Sequence, residues 1–225
     1  MDEIRNPIVA LVAICRLEAH LAPRSRFPSL NDMDLARLSD SLYDDSNALT
    51  TCVRLDSTGD LLVDVECDDW EGAERRRRFT ITFRGQVANN VCVGGISSIA
   101  LHREHPLLLE HRGKQGALYF STSPRDPDRV FSELWDVLSR AYLGWVAPVE
   151  VIELSPSSFR ALLIGGFGLL LRGPISVLES VRAHLGDALV TQLIETHAAD
   201  SNLVVLVLED RYVICREVEV TENSA

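Results

Sequence analysis

The chain has 225 residues, 46% hydrophobic and 24% charged, with a formal net charge of -11. That length and apolar content suffice for a buried core without disulfide or metal staples, and the acidic surplus excludes sequence-independent nucleic-acid binding, which needs concentrated Lys and Arg. Lys114 is the only lysine among 22 basic residues, so a P-loop is excluded and a single Schiff-base lysine is left.

The five cysteines, Cys15, Cys52, Cys67, Cys92 and Cys215, are scattered and never form a C-x-x-C pair. They fit buried thiols in a reducing compartment and exclude zinc-ribbon and thioredoxin-type motifs. At the N-terminus Asp2 and Glu3 precede an apolar run, Ile8 to Cys15, that Arg16 stops. The run is too short to span a membrane and no small-residue cleavage site follows, so the expectation is a cytoplasmic protein without a membrane partner. Asn6 as cap and Pro7 at the first helical position predict a helix to about Leu21, with Ile8, Leu11, Val12 and Cys15 on one face. After a connector with two prolines, Asn31 or Asp32 caps a second helix to about Tyr43, carrying Leu35, Leu38 and Leu42.

From Leu49 the apolar period changes from helical to alternating. Thr51, Val53 and Leu55 point one way, and Asp56 to Asp60 turns the chain. Leu61, Val63, Val65 and Cys67 then alternate with Leu62, Asp64, Glu66 and Asp68, and Phe79, Ile81 and Phe83 with Thr80, Thr82 and Arg84. This is the pattern of an antiparallel meander with one face buried and one wet. Asp64, Glu66 and Asp68 fall on the wet face, continued by Asp69, Trp70 and Glu71. Carboxylates in a row beside an aromatic suit a basic partner, or a divalent cation. The plainer reading pairs them with Arg75 to Arg78 on the next strand. Gly85 to Gly95 is a loop or bulged strand; Ile96 to Leu101 and Leu107 to Glu110 are short strands separated by Pro106.

From Gly116 to Val220 the chain reads as two strand-then-helix units. Ala117 to Thr122 is a strand, and Asp126 and Pro127 open a helix with Val130, Phe131, Leu134, Trp135, Leu138 and Tyr142 on one face. Val146 to Leu154 and Leu162 to Arg172 read as strands, the second bent by glycines. Pro174 opens a helix through Ile175, Leu178, Val181 and Leu185, and Leu189, Leu193 and Ile194 continue its spacing to His197. Leu203 to Leu208 reads as a central strand, and Val213 to Val220 closes as a hairpin. The expected architecture is α+β: N-terminal helices over 1–47, an antiparallel meander over 48–115, and a β-α-β-β-α-β, ferredoxin-like unit with an extra strand over 116–225, either separate from the meander or sharing one core with it.

Three other features bear on chemistry. His102, Glu104, His105, Glu110 and His111 hold metal-ligand types, but an extended segment puts His102 and His105 on opposite faces. Gly165, Gly166 and Gly168 lack the dinucleotide spacing and fit close packing. No G-x-S-x-G marks a serine nucleophile. No catalytic residue, metal or cofactor is therefore expected.

The run G-D-L-L-V-D-V-E-C-D-D-W followed by F-T-I-T-F-R-G, around Leu61 to Arg84, resembles the β-meander of immunity-type proteins from bacterial polymorphic toxin systems. The stretches around His105 to Leu108, Ala117 to Ser121, Asp126 to Asp128 and Gly166 to Leu170 are similar to uncharacterised proteins of GC-rich soil bacteria. The first resemblance implies a non-enzymatic protein that masks a toxin. The leading expectation is accordingly a bacterial interaction protein binding a basic, toxin-like protein through Asp64, Glu66, Asp68, Asp69, Trp70 and Glu71. The alternatives are a small-molecule sensor or enzyme, with a pocket near His102 to His111 or the Gly168 strand, and a structural subunit assembled through the first helix.

Overall fold

The computed structural model describes residues 30–42, 47–68, 76–186, 188–199 and 202–223. The helix expected over 7–21, and Asp69, Trp70, Glu71 and Arg75, lie outside the described residues.

The meander forms: strands β1 (Leu49–Leu55), β2 (Leu61–Asp68) and β3 (Arg76–Arg84) are antiparallel neighbours. Strands β2 and β3 alternate as their sequence dictates; the first strand does not, because its register shifts between Thr50 and Cys52, which buries Thr50 and leaves Thr51 and Leu55 exposed. At the turn between β1 and β2, the Asp56 carboxylate accepts from the backbone N–H groups of Thr58 (2.8 Å) and Asp60 (3.0 Å). The sheet is extended on one side by β12 (Glu217–Asn223) and on the other by the two-residue β5 (Gly94–Gly95), in the order β12-β3-β2-β1-β5. A second sheet has the order β4-β11-β10-β6, from Ala88–Asn89, Arg211–Cys215, Val204–Leu208 and Ile99–His102. Val63, Val65, Ile81 and Phe83 from the first sheet share a core with Leu206, Leu208, Val213 and Cys215 from the second. Helix α1 (Leu30–Ser41) adds Leu38, which is fully buried there.

All five residues of β10 are buried because both of its faces are covered. Leu206 and Leu208 face the first core, while Val205 and Val207 pack with Leu107, Leu108, Ile214, Trp145 and Val146 on the other side. That is the physical reason for the uninterrupted apolar run.

The third sheet has the order β8-β7-β9, with β7 (Gly113–Phe120) antiparallel to both β8 (Gly168–Pro174) and β9 (Thr191–Ala199). Its helices are α2 (Pro127–Tyr142), α3 (Pro148–Ile152), α4 (Pro156–Gly165) and α5 (Ile175–Leu185). The β8-α5-β9 segment is a split crossover: two parallel strands with β7 inserted between them. One face of β7 carries α5. A Cβ on Gly116 would stand 2.5 Å from Ile175 Cδ1, which could turn aside, and 2.8 Å from the backbone carbonyl of Ile194 in β9, which could not, so glycine is required for β9 to lie this close. Leu118, Phe120, Leu134, Leu138, Phe159, Leu171, Leu178 and Val181 fill this core.

The α+β class therefore stands, with antiparallel sheets and separate helices, and the caps expected at Asp126 and Pro127 form, Asp126 accepting from Arg129 N–H at 3.0 Å. The four-stranded ferredoxin-like sheet is not what forms, for three reasons. The strand expected over 146–154 is the short helix α3, because Pro148 opens a turn whose buried residues, Pro148 and Ile152, are four apart. The strand expected over 162–172 is split: Ser155 caps α4, Phe159 and Leu163 bury one face, and Gly166 ends the helix in the left-handed region at φ 80, so the strand starts at Gly168. The helix expected to continue to His197 is instead β9, drawn out by pairing with β7. The strand expected over Leu107 to Glu110 is likewise a 3-10 helix, Pro106–His111, capped by the His105 ring. Strands β10, β11 and β12 return to β6, β4 and β3, so residues 203–223 cross the expected boundary at 115/116 into the sheets of the meander.

Candidate functional site

Asp64, Glu66 and Asp68 share one half-exposed face of β2, as alternation requires. The register sets them opposite Thr80, Arg78 and Arg76. Glu66 pairs with Arg78 (3.1 Å) and Arg76 (3.6 Å), and Asp68 with Arg76 (3.5 Å) and the Asn47 side-chain amide (2.7 Å). Asp64 pairs with Arg54 and accepts from the Thr80 hydroxyl at 2.8 Å. Arg77 points the other way, to Glu222 (2.8 Å) and the Ser41 hydroxyl (2.7 Å). Every described carboxylate of the expected partner surface thus has a cation or hydrogen-bond donor of its own. Exposed pairs of this kind contribute roughly 0–1 kcal/mol each, and together they quench the face.

The histidines differ from expectation. The chain bends after β6, so alternation no longer separates His102 from His105, and their ring centroids lie 5.2 Å apart. His105 packs edge-on against Trp145 at 4.8 Å and its Nδ1 accepts from Leu107 N–H at 3.3 Å. Burial, then the charge of neighbouring His102, lowers its pKa to about 4. Protonating Nδ1 would also remove the acceptor that caps the 3-10 helix. Among the described residues no group of three or more His, Cys, Asp or Glu is arranged to hold a metal ion. Because neutral His105 belongs to the fold, its contribution is present above the ordinary histidine pKa of 6.5 and is lost as pH falls towards about 4. Melting temperature is expected to fall on the order of 3–6 °C across that window. In His105→Asn, which keeps a capping oxygen and does not titrate, the slope should be shallower. An unchanged slope would dissociate the pH dependence from this ring.

A second set of charged side chains lines a cleft of about 600 Å³ over the face of the third sheet opposite α5. The floor is β7, β8 and β9: Ala117 and Tyr119 face it opposite the α5 side, with Arg172 from β8 and Thr196 and His197 from β9. The wall is Glu110 from the 3-10 helix and Val146, Glu150, Val151 and Glu153 on and around α3. Glu110 is the best-fixed of the acids. It accepts a hydrogen bond from the hydroxyl of Tyr142, a fully buried side chain at the end of α2. Gly173 lies beside it, where a Cβ would be in ordinary contact at 3.4 Å from Glu110 Oε1; what favours glycine there is the backbone, at φ 148. Burial raises the pKa of Glu110 against the Tyr142 hydrogen bond, and raises that of Tyr142 as well.

Gln115, 6% exposed, lies at the edge of the floor. Its Nε2 donates to the carbonyls of Leu109 (3.3 Å) and Arg112 (3.1 Å), which fixes the amide, and among the described residues no group donates to its Oε1. Among the described residues no ion pair joins Arg172 to Glu110, Glu150 or Glu153; Arg172, Glu150 and Glu153 are exposed and make no ion pair, while Glu110 has the Tyr142 hydrogen bond and the nearby charge of His111. The cleft therefore holds opposite charges apart, where the meander face brings them together. Such an arrangement can orient a small charged ligand. No described cysteine lines it; Cys215, whose thiol is pushed up to about 12 by burial, is packed in the first core.

Sequence reasoning pointed to the neighbourhood through His102 to His111 and the Gly168 strand but missed Gln115, Tyr142, Glu150, Glu153, Arg172 and His197. The one readable signal was the Pro148 and Pro156 punctuation, which argues for turns and against the strand that would have spread Glu150 and Glu153 along a sheet. Comparison with protein-family models, curated proteins and solved structures finds no match to this chain.

Proposed function

We propose that this protein binds a small charged molecule in the cleft beside the three-stranded sheet, as a sensor or binding protein. The observation that carries the reading is a cleft lined by opposite charges that do not pair with one another, Arg172 with Glu110, Glu150 and Glu153, around the anchored Gln115 amide. Glu153 is placed on the cleft wall as the C-cap of α3: its backbone N–H bonds the Val149 carbonyl at 3.2 Å and it sits in the left-handed region at φ 56, where a residue other than glycine carries some strain. Screening a metabolite library by thermal shift should find a ligand that raises the melting temperature. Glu153→Gly should stabilise the ligand-free protein by roughly 0.5–1 kcal/mol, by removing that strain, while weakening the ligand's shift. Leu143, at φ 50 and away from the cleft, is the control: Leu143→Gly should stabilise comparably and leave binding intact. A ligand whose shift survives both Glu153→Gly and Arg172→Gln binds elsewhere and defeats this assignment.

A second reading is the immunity-type role, with a basic toxin-like partner on the meander face. It is supported by the chain's net charge of -11, which steers basic proteins towards it. A partner there would displace Arg54, Arg76 and Arg78 from the carboxylates. Reversing Asp64, Glu66 and Asp68 to lysine should then abolish capture of the partner in a pull-down, and retention would remove this surface from consideration.

A further inference from the structure

We infer that the ligand of the cleft is a zwitterion of the α-amino-acid class with an apolar side chain, its carboxylate on Arg172 and its ammonium group among Glu110, Glu150 and Glu153; the inference rests on the ligand-binding reading above.

The charge pattern selects the class. A ligand with only negative charge would meet Arg172 but also three carboxylates on the facing wall. A purely cationic ligand would satisfy the wall and leave Arg172 beside a like charge. A molecule carrying both signs a few bonds apart satisfies both sides, and each charge is desolvated only against its opposite. The planar guanidinium offers paired donors that match a carboxylate's two oxygens. Gln115 supports the same orientation: its free atom is an acceptor, which an ammonium N–H fills and a carboxylate does not. Beside these groups, Tyr119, Val146 and Val151 offer apolar surface for a side chain.

Three probes of one shape separate the alternatives: L-phenylalanine, 2-phenylethylamine, which lacks the carboxylate, and 3-phenylpropanoate, which lacks the amine. Calorimetric titration of the full chain should show L-phenylalanine binding at least about tenfold more tightly than either analogue. In Arg172→Gln the advantage over the amine should vanish, and in Glu110→Gln the advantage over the carboxylate should shrink; both variants are checked for an unchanged circular dichroism spectrum. If the amine binds as well as the amino acid, the site is a plain cation site, and if the propanoate does, an anion site. Either result overturns the zwitterion class while leaving a ligand-binding cleft. If none of the three binds and a library hit is a molecule of single charge that depends on Arg172 or Glu153, the class is again overturned alone. If nothing in the library binds, the ligand-binding reading falls with it.

Discussion

Leu206→Ala is expected to destabilise the protein by about 3 kcal/mol, within the usual range for truncating a buried leucine, and to lower the melting temperature by roughly 6–12 °C. Leu206 has no exposed surface and sits in β10, an interior strand flanked by β6 and β11. Its side chain meets Val63, Ile81 and Phe83 in the core between the first two sheets. The strand's other face, Val205 and Val207, is closed by Leu107, Leu108 and Trp145, which belong to the segments leading into and out of the third sheet. Collapse of the cavity is therefore opposed from both sides, and the change should weaken the attachment of the cleft as well as the sandwich. Urea unfolding gives the value directly. Leu55→Ala is the control, because Leu55 is 62% exposed and its loss should stay within about 0.5 kcal/mol. Equal effects from the two would contradict the burial described for β10.

Tyr142→Phe should cost about 2 kcal/mol, because it leaves the half-buried Glu110 carboxylate without its buried donor. The direction with pH distinguishes this from simple loss of packing. The pKa of Glu110 is already raised by burial, and the Tyr142 hydrogen bond opposes that rise. Removing the bond raises it further. A carboxyl whose folded pKa exceeds its unfolded value supports the fold fully below about 4.5 and loses that support as pH rises through the folded pKa. The variant should therefore approach the parent's stability in acid and fall behind it towards neutrality. Glu110→Gln in the Tyr142→Phe background should recover much of the loss at neutral pH, since a neutral amide costs less to bury than a carboxylate. A deficit that is the same at every pH would show that the hydroxyl does not act through Glu110.

How far residue patterns carried the reading can be judged element by element. The meander was legible because a sheet with one wet face writes its period into the chain: Val63, Val65 and Ile81, Phe83 are buried where alternation places them. Helices α2 and α5 were legible from Pro127 and Pro174 and from matching buried positions, Val130 with Val177, Leu134 with Val181, Leu138 with Leu185. Residues 189–197 were not. Leu189, Leu193 and Ile194 suit a helix face, yet Leu193 and Ile194 end on opposite faces of β9 because β7 offers an open edge to pair with. The acidic row was found correctly as a row. Its quenching depended on which arginines the register brought opposite, which no local pattern states.

The cleft divides in the same way. Glu110, Gln115, Glu150, Glu153 and Arg172 span 63 positions of the chain and share no motif, so nothing local marks them as one site. Local pattern was enough for the α+β class, the exposed and buried faces of β2 and β3, the proline-led starts of α2 and α5, and the exclusion of P-loop and C-x-x-C motifs, because each depends on neighbours within a few residues. Only the tertiary structure decided that β10 to β12 return to the first two sheets, that the meander's carboxylates meet their counter-charges, and that Arg172 and the three glutamates do not. Those outcomes depend on strand register and on which segment covers which face, and both are fixed by contacts between residues far apart in the chain.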